Sequence, residues 1–156
     1  MQEKVVYLTP EGKQRFTAEL HELQTVRRHE VEERIRRAKE FSDTVDNAEY
    51  DEAKTEQSFV EGRIQELERL LSAAKVIEEP PAQADYVRLG ARIRVVDPEG
   101  EEETYHLVGT QEADPRHGQI SNESPIGRAL IGKRVGDEVT VVAPAGAFNL
   151  KILAIS

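Results

Sequence analysis

The chain has 156 residues, of which 38% are hydrophobic and 33% charged, and its formal net charge at pH 7 is −9. This length allows one medium domain or two small ones, and the negative charge argues against a protein that coats nucleic acid by neutralising phosphates. The chain contains no cysteine, which excludes disulfides and thiolate metal sites. No apolar run reaches the roughly 18 residues of a membrane span, and the N-terminus lacks a signal-peptide pattern. We therefore expect a cytoplasmic protein without membrane contact.

The first predicted element is a long helix that starts at Thr9 and Pro10 and continues to Phe41. Thr9 can cap the helix, and Pro10 suits the first helical position because its missing N–H has no partner there. Apolar residues then follow at spacings of three and four: Phe16, Leu20, Leu23, Val31, Ile35 and Ala38. The stripe breaks between Thr25 and His29, which indicates a shift of helical register.

A second helix is predicted from about Asn47 to Ile77. Its seam alternates steps of four and three: Ala53, Gln57, Val60, Ile64, Leu67, Leu71 and Ala74. Each helix has about 30 residues, or roughly 45 Å of length at 1.5 Å per residue. Because only a short turn joins the two helices, we expect an antiparallel coiled-coil hairpin over residues 1–79, with its tip at residues 42–52.

The predicted tip is strongly acidic. Five carboxylates lie within residues 43–52, and no basic residue lies among them. One interpretation is local, since Asp46 and Glu49 fit a capping box at the start of the second helix. The other is a divalent cation, because Mg²⁺ prefers carboxylate oxygens and often takes only one or two of them from protein. On the second interpretation the tip suits half a metal site, which another molecule would complete.

The C-terminal part has a different pattern of apolar residues, which alternate with polar ones. Tandem prolines indicate a linker at residues 80–87, and alternating segments then predict strands at 91–96, 104–108, 138–142 and 148–155. Ser124 and Pro125 open a short helix that Gly132 closes. We therefore predict an α+β protein, in which the hairpin precedes a small, mostly antiparallel sheet domain with one helix at residues 88–156.

Several sequence blocks in this order are familiar. They are Y-L-T-P-E-G, V-R-R-H-E-V, D-N-A-E-Y-D-E-A-K, F-V-E-G-R-I-Q-E-L-E, V-G-T-Q-E-A-D, I-S-N-E-S-P-I-G-R-A-L-I-G-K and G-D-E-V-T-V. With these blocks, which extend over nearly the whole chain, the sequence resembles the bacterial Gre transcript-cleavage factors. The resemblance implies a coiled-coil hairpin followed by an FKBP-like domain, in a monomer that enters the secondary channel of RNA polymerase. There it stimulates cleavage of backtracked RNA without being an enzyme itself.

The resemblance also implies roles for the residues of the tip. Asp43 and Asp46 match the acidic pair that helps to hold the second catalytic Mg²⁺ of the polymerase and a hydrolytic water. The free protein is expected to bind no metal tightly. Asn47, Glu49 and Tyr50 match the residues that follow this pair, and we expect them to support the tip.

Basic residues near the tip match the patch that contacts the extruded 3′ end of the RNA. Lys39 and Lys54 occupy matching positions and Arg37 is a nearby candidate, although they could equally be solvated cations paired with neighbouring carboxylates. In the family the C-terminal domain docks at the rim of the polymerase channel. The candidates for this docking surface are Ile120, Ser121, Ser124 and Pro125.

The tip departs from the family pattern G-D-L-x-E-N-A-E-Y, because this chain reads S-D-T-V-D-N-A-E-Y. Ser42 replaces Gly and Thr44 replaces Leu, while Asp46 stands where Glu is expected and reaches roughly 1.5 Å less far. Two interpretations follow, a cleavage factor and a Gre-like inhibitor that binds the channel with weak or no cleavage activity. A free-standing Mg²⁺ nuclease fits less well, since the tip offers no pocket.

Overall fold

The structure, a computed structural model, describes residues 5–41, 47–78, 80 and 82–156. The chain forms two compact units, a helical unit of Lys13–Ala73 and a sheet unit of Met1–Gly12 with Ala74–Ser156. These boundaries differ from the predicted segments 1–79, 80–87 and 88–156. The reason is that a strand before the first helix pairs with a strand after the last long helix, which brings both strands into the sheet unit.

Among the described residues up to Ala73, the chain forms three α-helices and one π-helical segment. Their bounds are α1 Pro10–Glu22, the π segment Leu23–Arg27, α2 Arg28–Phe41 and α3 Ala48–Ala73. The π segment overlaps the predicted break in the apolar stripe. Because a π turn adds a residue to the helical repeat, it realigns the stripe, and Val31 and Ile35 beyond it are buried against α3.

Helix α3 buries one side along its length. Its buried residues are Ala53, Val60, Ile64, Leu67 and Leu70. The predicted seam was wrong at its end, because Leu70 is buried where Leu71 was expected, and the helix stops at Ala73 before Ile77. Burying an apolar side chain of this size stabilises the fold by about 1.5–3 kcal/mol, so this seam dominates the packing of the hairpin.

Ion pairs between α2 and α3 show the relative direction of the two helices. Arg34 pairs with Glu56, and Arg28 holds Glu61 through two hydrogen bonds of 2.8 and 3.0 Å. A later residue of α2 therefore pairs with an earlier residue of α3, which confirms that the two helices of the hairpin run antiparallel. The Arg28 guanidinium lowers the pKa of the Glu61 carboxyl, chiefly by hydrogen bonding. Each pair is at least partly exposed to solvent and adds little stability, but together they favour one register.

The sheet unit contains a two-stranded and a five-stranded sheet. The small sheet pairs β1 Val6–Leu8 in parallel with β2 Ala74–Val76. The strands of the large sheet are β3 Arg92–Val96, β4 Glu102–Val108, β5 Gln119–Ser121, β6 Glu138–Ala143 and β7 Gly146–Ile155. Their order is β5-β4-β3-β7-β6, and only β4 and β5 run parallel. The predicted, mostly antiparallel sheet is confirmed, whereas β1, β2 and β5 were missed.

Helix α4, Pro125–Leu130, covers the core of the large sheet. Its N-cap is Ser124, as predicted, and the Ser124 hydroxyl accepts the Gly127 N–H at 3.1 Å. Ile93, Leu107, Leu130 and further apolar residues form the core beneath it. Within the described ranges, no helix combines the length and the hydropathy that crossing a membrane requires.

Candidate functional site

The acidic pair of the predicted tip lies outside the described residues. Asp43 and Asp46, with Ser42 and Thr44, belong to residues 42–46. The structure describes the residues on both sides of this segment, where α2 ends and α3 begins.

Asn47 joins the two helices at the base of the tip. Its side-chain Oδ1 accepts the N–H of Tyr50 at 3.1 Å, the N-cap bond of α3, and its carbonyl oxygen accepts the N–H of Asp51 at 3.1 Å. Its Nδ2 donates to the carbonyl oxygen of Ala38 in the last turn of α2 at 2.8 Å. One side chain thus satisfies an unpaired N–H of α3 and an unpaired carbonyl of α2. Asn47 therefore takes the cap position that the capping-box interpretation gave to Asp46.

Tyr50 brings together the two lysines that were predicted on opposite helices. The Nζ atoms of Lys39 and Lys54 lie 5.8 and 5.9 Å from the centroid of its ring. Both distances fall within the range of cation–π attraction. The ring itself is half-buried and packs against the hairpin core. The structure thus gathers Lys39, Tyr50 and Lys54 into one cluster, which we call the lysine–tyrosine cluster.

The other predicted residues near the tip are exposed. Arg37 and Glu49 both face solvent. Two carboxylates that could have paired with the lysines are held by arginines: Glu40 by Arg36 at 2.8 Å, and Glu56 by Arg27 and Arg34. Across the described parts of the chain, neither lysine of the cluster forms an ion pair with a carboxylate.

The predicted docking residues differ in how far a partner can reach them. Ile120 and Ser121 are 5% and 8% exposed, so the Ile120 side chain belongs to the sheet core. Ser124 is half-exposed, and its hydroxyl donates to the Ser121 carbonyl oxygen at 2.6 Å. Pro125 is exposed. Burial thus corrects the predicted surface, because Ile120 and Ser121 lie buried in β5, whereas Ser124 and Pro125 at the start of α4 remain accessible to a partner.

A buried carboxylate that sequence analysis missed explains two of the quoted blocks. Glu112 is 6% exposed and accepts the N–H of Thr9 at 2.7 Å and the hydroxyl of Thr9. The Thr9 hydroxyl in turn accepts the Gly12 N–H at 3.0 Å, which caps α1. The blocks Y-L-T-P-E-G and V-G-T-Q-E-A-D therefore pack against each other within the sheet unit. No sequence pattern singled out this Glu, because its partner Thr9 lies 103 residues away in the chain.

The described residues hold no ready-made metal centre. Outside residues 1–4, 42–46, 79 and 81, no group of three or more His, Asp or Glu side chains converges as metal ligands do. The carboxylate chemistry of the predicted pair suits Mg²⁺, and both members lie in the segment 42–46.

Two family models together match nearly the whole chain. Residues 6–76 match the N-terminal domain of transcription elongation factors, and residues 82–156 match the C-terminal domain of GreA/GreB elongation factors. The hairpin and the sheet unit thus carry the two domains of a transcription elongation factor.

The comparison with individual proteins gives the same result. The transcription elongation factor GreA of Bacillus licheniformis is 51% identical over 156 residues, with 99% of each chain covered. GreA of Acetivibrio thermocellus is 52% identical over 153 residues, covering 97% of this chain and 96% of its own. Among solved structures, GreA factor homolog 1 of Thermus thermophilus shares 32% identity over 98% of this chain and 99% of its own, with a TM-score of 0.45. This chain belongs to the GreA/GreB family of transcription elongation factors.

Proposed function

We propose that this chain rescues backtracked RNA polymerase. The hairpin enters the secondary channel tip first, and the protein stimulates endonucleolytic cleavage of the nascent RNA whose 3′ end has been extruded there. Two observations support this proposal. Both domains of the chain match the family, and relatives that are about 50% identical to it are named transcription elongation factors.

The observation that carries the proposal is the construction of the hairpin end. The Asn47 side chain donates to the Ala38 carbonyl of α2 and accepts the N–H of Tyr50 in α3, so one side chain joins the two helices on either side of the segment 42–46. A short, acidic segment on such a base suits a carboxylate pair that must meet a metal ion in another molecule. Preorganisation of this kind matters because small errors in position cost catalysis heavily.

In the proposed mechanism the chemistry belongs to the polymerase. Asp43 and Asp46 would supply carboxylate oxygens for the second Mg²⁺ of the polymerase active centre and would help to place the hydrolytic water. Paired Mg²⁺ ions in such a centre supply stabilisation of the attacking and leaving oxygens of a phosphodiester. This chain is then not an enzyme by itself but completes a site in trans, and it carries no tightly bound cofactor of its own.

Other residues position the reactants in this proposal. Lys39, Lys54 and the exposed Arg37 contact phosphates of the extruded RNA 3′ end. Pro125, together with Ser124, contacts the rim of the channel from the sheet unit. In this proposal the protein acts in the cytoplasm as a monomer.

The direct test is transcript cleavage. Stalled, backtracked polymerase complexes are incubated with the protein and Mg²⁺, and RNA length is followed on a gel. We expect shortened RNA that can then be elongated again. Inhibition of elongation without shortened RNA would contradict the proposal and identify a Gre-like inhibitor. Hydrolysis of RNA in the absence of polymerase would instead identify a free-standing nuclease.

Lengthening the second acid of the pair should raise activity. We expect Asp46→Glu to increase the cleavage rate about 10-fold, because it restores roughly 1.5 Å of reach and a misplacement near 1 Å can cost about 100-fold. The measurement is the single-turnover cleavage rate at saturating protein. Asp51→Glu, which adds the same methylene to an exposed residue of α3, is the matched control and should leave the rate unchanged. An equal rate for Asp46→Glu and the natural protein would show that reach does not limit cleavage.

A further inference from the structure

The lysine–tyrosine cluster has an unusual charge environment. Lys39 and Lys54 lie beside a stretch of five carboxylates, yet no ion pair joins either lysine to a carboxylate among the residues that the structure describes. Lys54 has a neutral partner, the Gln57 Oε1, at 3.4 Å. Both ammonium groups instead lie over the ring of Tyr50.

An aromatic ring attracts a cation about as strongly as an exposed carboxylate does. The two interactions differ in the net charge of the resulting pair. A neutral ring leaves the positive charge of the ammonium group in place, whereas a carboxylate cancels it. A lysine held by Tyr50 is therefore positioned and still able to bind an anion. A lysine held by a tip carboxylate is neutralised and drawn toward the acids.

The ring itself is fixed by the base of the tip. The Tyr50 N–H donates to the Asn47 cap at 3.1 Å, and the side chain packs against the core of the hairpin. Lys39 reaches the ring from α2 and Lys54 reaches it from α3. The ring of Tyr50 is thus the common contact of ammonium groups from both helices, and Tyr50 follows the acidic pair by four residues in the sequence.

We propose that Tyr50 is a positioning residue, which holds Lys39 and Lys54 over its ring so that both bind phosphates of the extruded RNA. This inference rests on the proposed function and names the residue that organises its RNA contact. The ring keeps the two lysines from pairing with the neighbouring carboxylates, which leaves the acids available for Mg²⁺ and the lysines available for RNA.

The experiment compares Tyr50→Leu with Tyr50→Phe. In the described part of the chain the Tyr50 hydroxyl forms no hydrogen bond, so Phe preserves the ring function and Leu removes it. We expect Tyr50→Leu to raise the half-saturating protein concentration for cleavage of backtracked RNA about 5-fold, while the saturating rate is unchanged. Tyr50→Phe should match the natural protein. Affinity for polymerase whose RNA is not extruded should be the same for all three.

The matched control is Tyr86→Leu, which removes an exposed tyrosine whose ring lies 5.9 Å from the Arg88 guanidinium carbon in the sheet unit. It should leave the half-saturating concentration unchanged. A second readout needs no polymerase. Lysines are reductively methylated with ¹³C-formaldehyde, which preserves their charge, and their signals are assigned with Lys39→Arg and Lys54→Arg. Ring currents should shift both signals upfield in the natural protein and in Tyr50→Phe, but not in Tyr50→Leu.

Four outcomes overturn the inference while leaving the proposed function intact, and the first three are direct. They are cleavage by Tyr50→Leu with the half-saturation of the natural protein, equal defects in Tyr50→Phe and Tyr50→Leu, and unshifted lysine signals in the natural protein. The fourth is a Tyr50→Leu variant whose saturating cleavage rate is lowered while its half-saturating concentration is unchanged, since that pattern indicates a distorted tip. Failure of the natural protein to shorten RNA would be a different result, because it overturns the proposed function itself.

Discussion

Asp43→Asn is expected to lower the rate of transcript cleavage about 100-fold or more. The substitution keeps the size of the side chain but removes the negative charge that a hard cation such as Mg²⁺ requires from its ligands. Because Asn47 closes the base of the tip through its own bonds to Tyr50 and Ala38, the hairpin should fold unchanged. The measurement is the cleavage rate of backtracked complexes at saturating protein.

Binding and chemistry can be separated in the same experiment. Asp43→Asn should still compete with the natural protein for polymerase, so an excess of the variant should suppress cleavage. Asp51→Asn, the same charge change at an exposed position of α3, serves as the control and should retain activity. If Asp43→Asn cleaves as fast as the natural protein, the carboxylate is not a ligand of the catalytic metal.

Gly109→Ala is expected to lower the free energy of unfolding of the sheet unit by about 3 kcal/mol. A Cβ atom at Gly109 would overlap the backbone carbonyl oxygen of Tyr7 in β1. Backbone atoms cannot rotate away as a flexible side chain can, so β1 must shift or separate from the loop that carries Glu112. That shift would also disturb the bonds from Glu112 to Thr9 that cap α1.

Urea denaturation followed by circular dichroism measures this effect. Gly62→Ala is the control, since a Cβ atom there has nothing within 4 Å, and Ala is favoured over Gly inside a helix by about 1 kcal/mol. We expect Gly62→Ala to unfold at the same or a higher urea concentration. An unchanged midpoint for Gly109→Ala would show that the loop and β1 are not in close contact.

The hairpin could be predicted because its physics is local and periodic. A long apolar stripe at spacings of three and four requires a partner helix, and the break near Thr25 marked the place where the π segment lies. The nature of that break could not be read from the sequence. A single added residue can be accommodated by a π turn, a kink or a new register, and packing against α3 selects among them.

Short elements were missed because three residues carry no usable period. Strands β1 and β2 are each three residues long and lie far apart in sequence, so only the tertiary fold pairs them. The predicted end of α3 was wrong for the same reason. Residues 74–76 fit the helical pattern equally well, but in the structure they form β2. Leu70 and Leu71 are neighbours of equal hydrophobicity, and only the observed packing distinguishes them.

The candidate site shows the same limit. Sequence analysis identified Asn47, Tyr50, Lys39 and Lys54 by resemblance, but the convergence of both lysines on one ring depends on the packing of α2 against α3. Burial could not be foreseen for Ile120, because the strand β5 that carries it is only three residues long and shows no readable alternation. The metal role of Asp43 and Asp46 remains a prediction from residue type and family.

The central claim is that the hairpin delivers the segment 42–46 to the catalytic metal of another molecule. Replacing Mg²⁺ in the polymerase active centre with Fe²⁺ generates hydroxyl radicals there, and these cut any protein chain within reach. We predict that the bound protein is cut near residues 42–46 and that the cuts disappear when excess Mg²⁺ displaces the iron. Cuts confined to residues 88–156, or an uncut chain that is bound to backtracked polymerase, would contradict the claim.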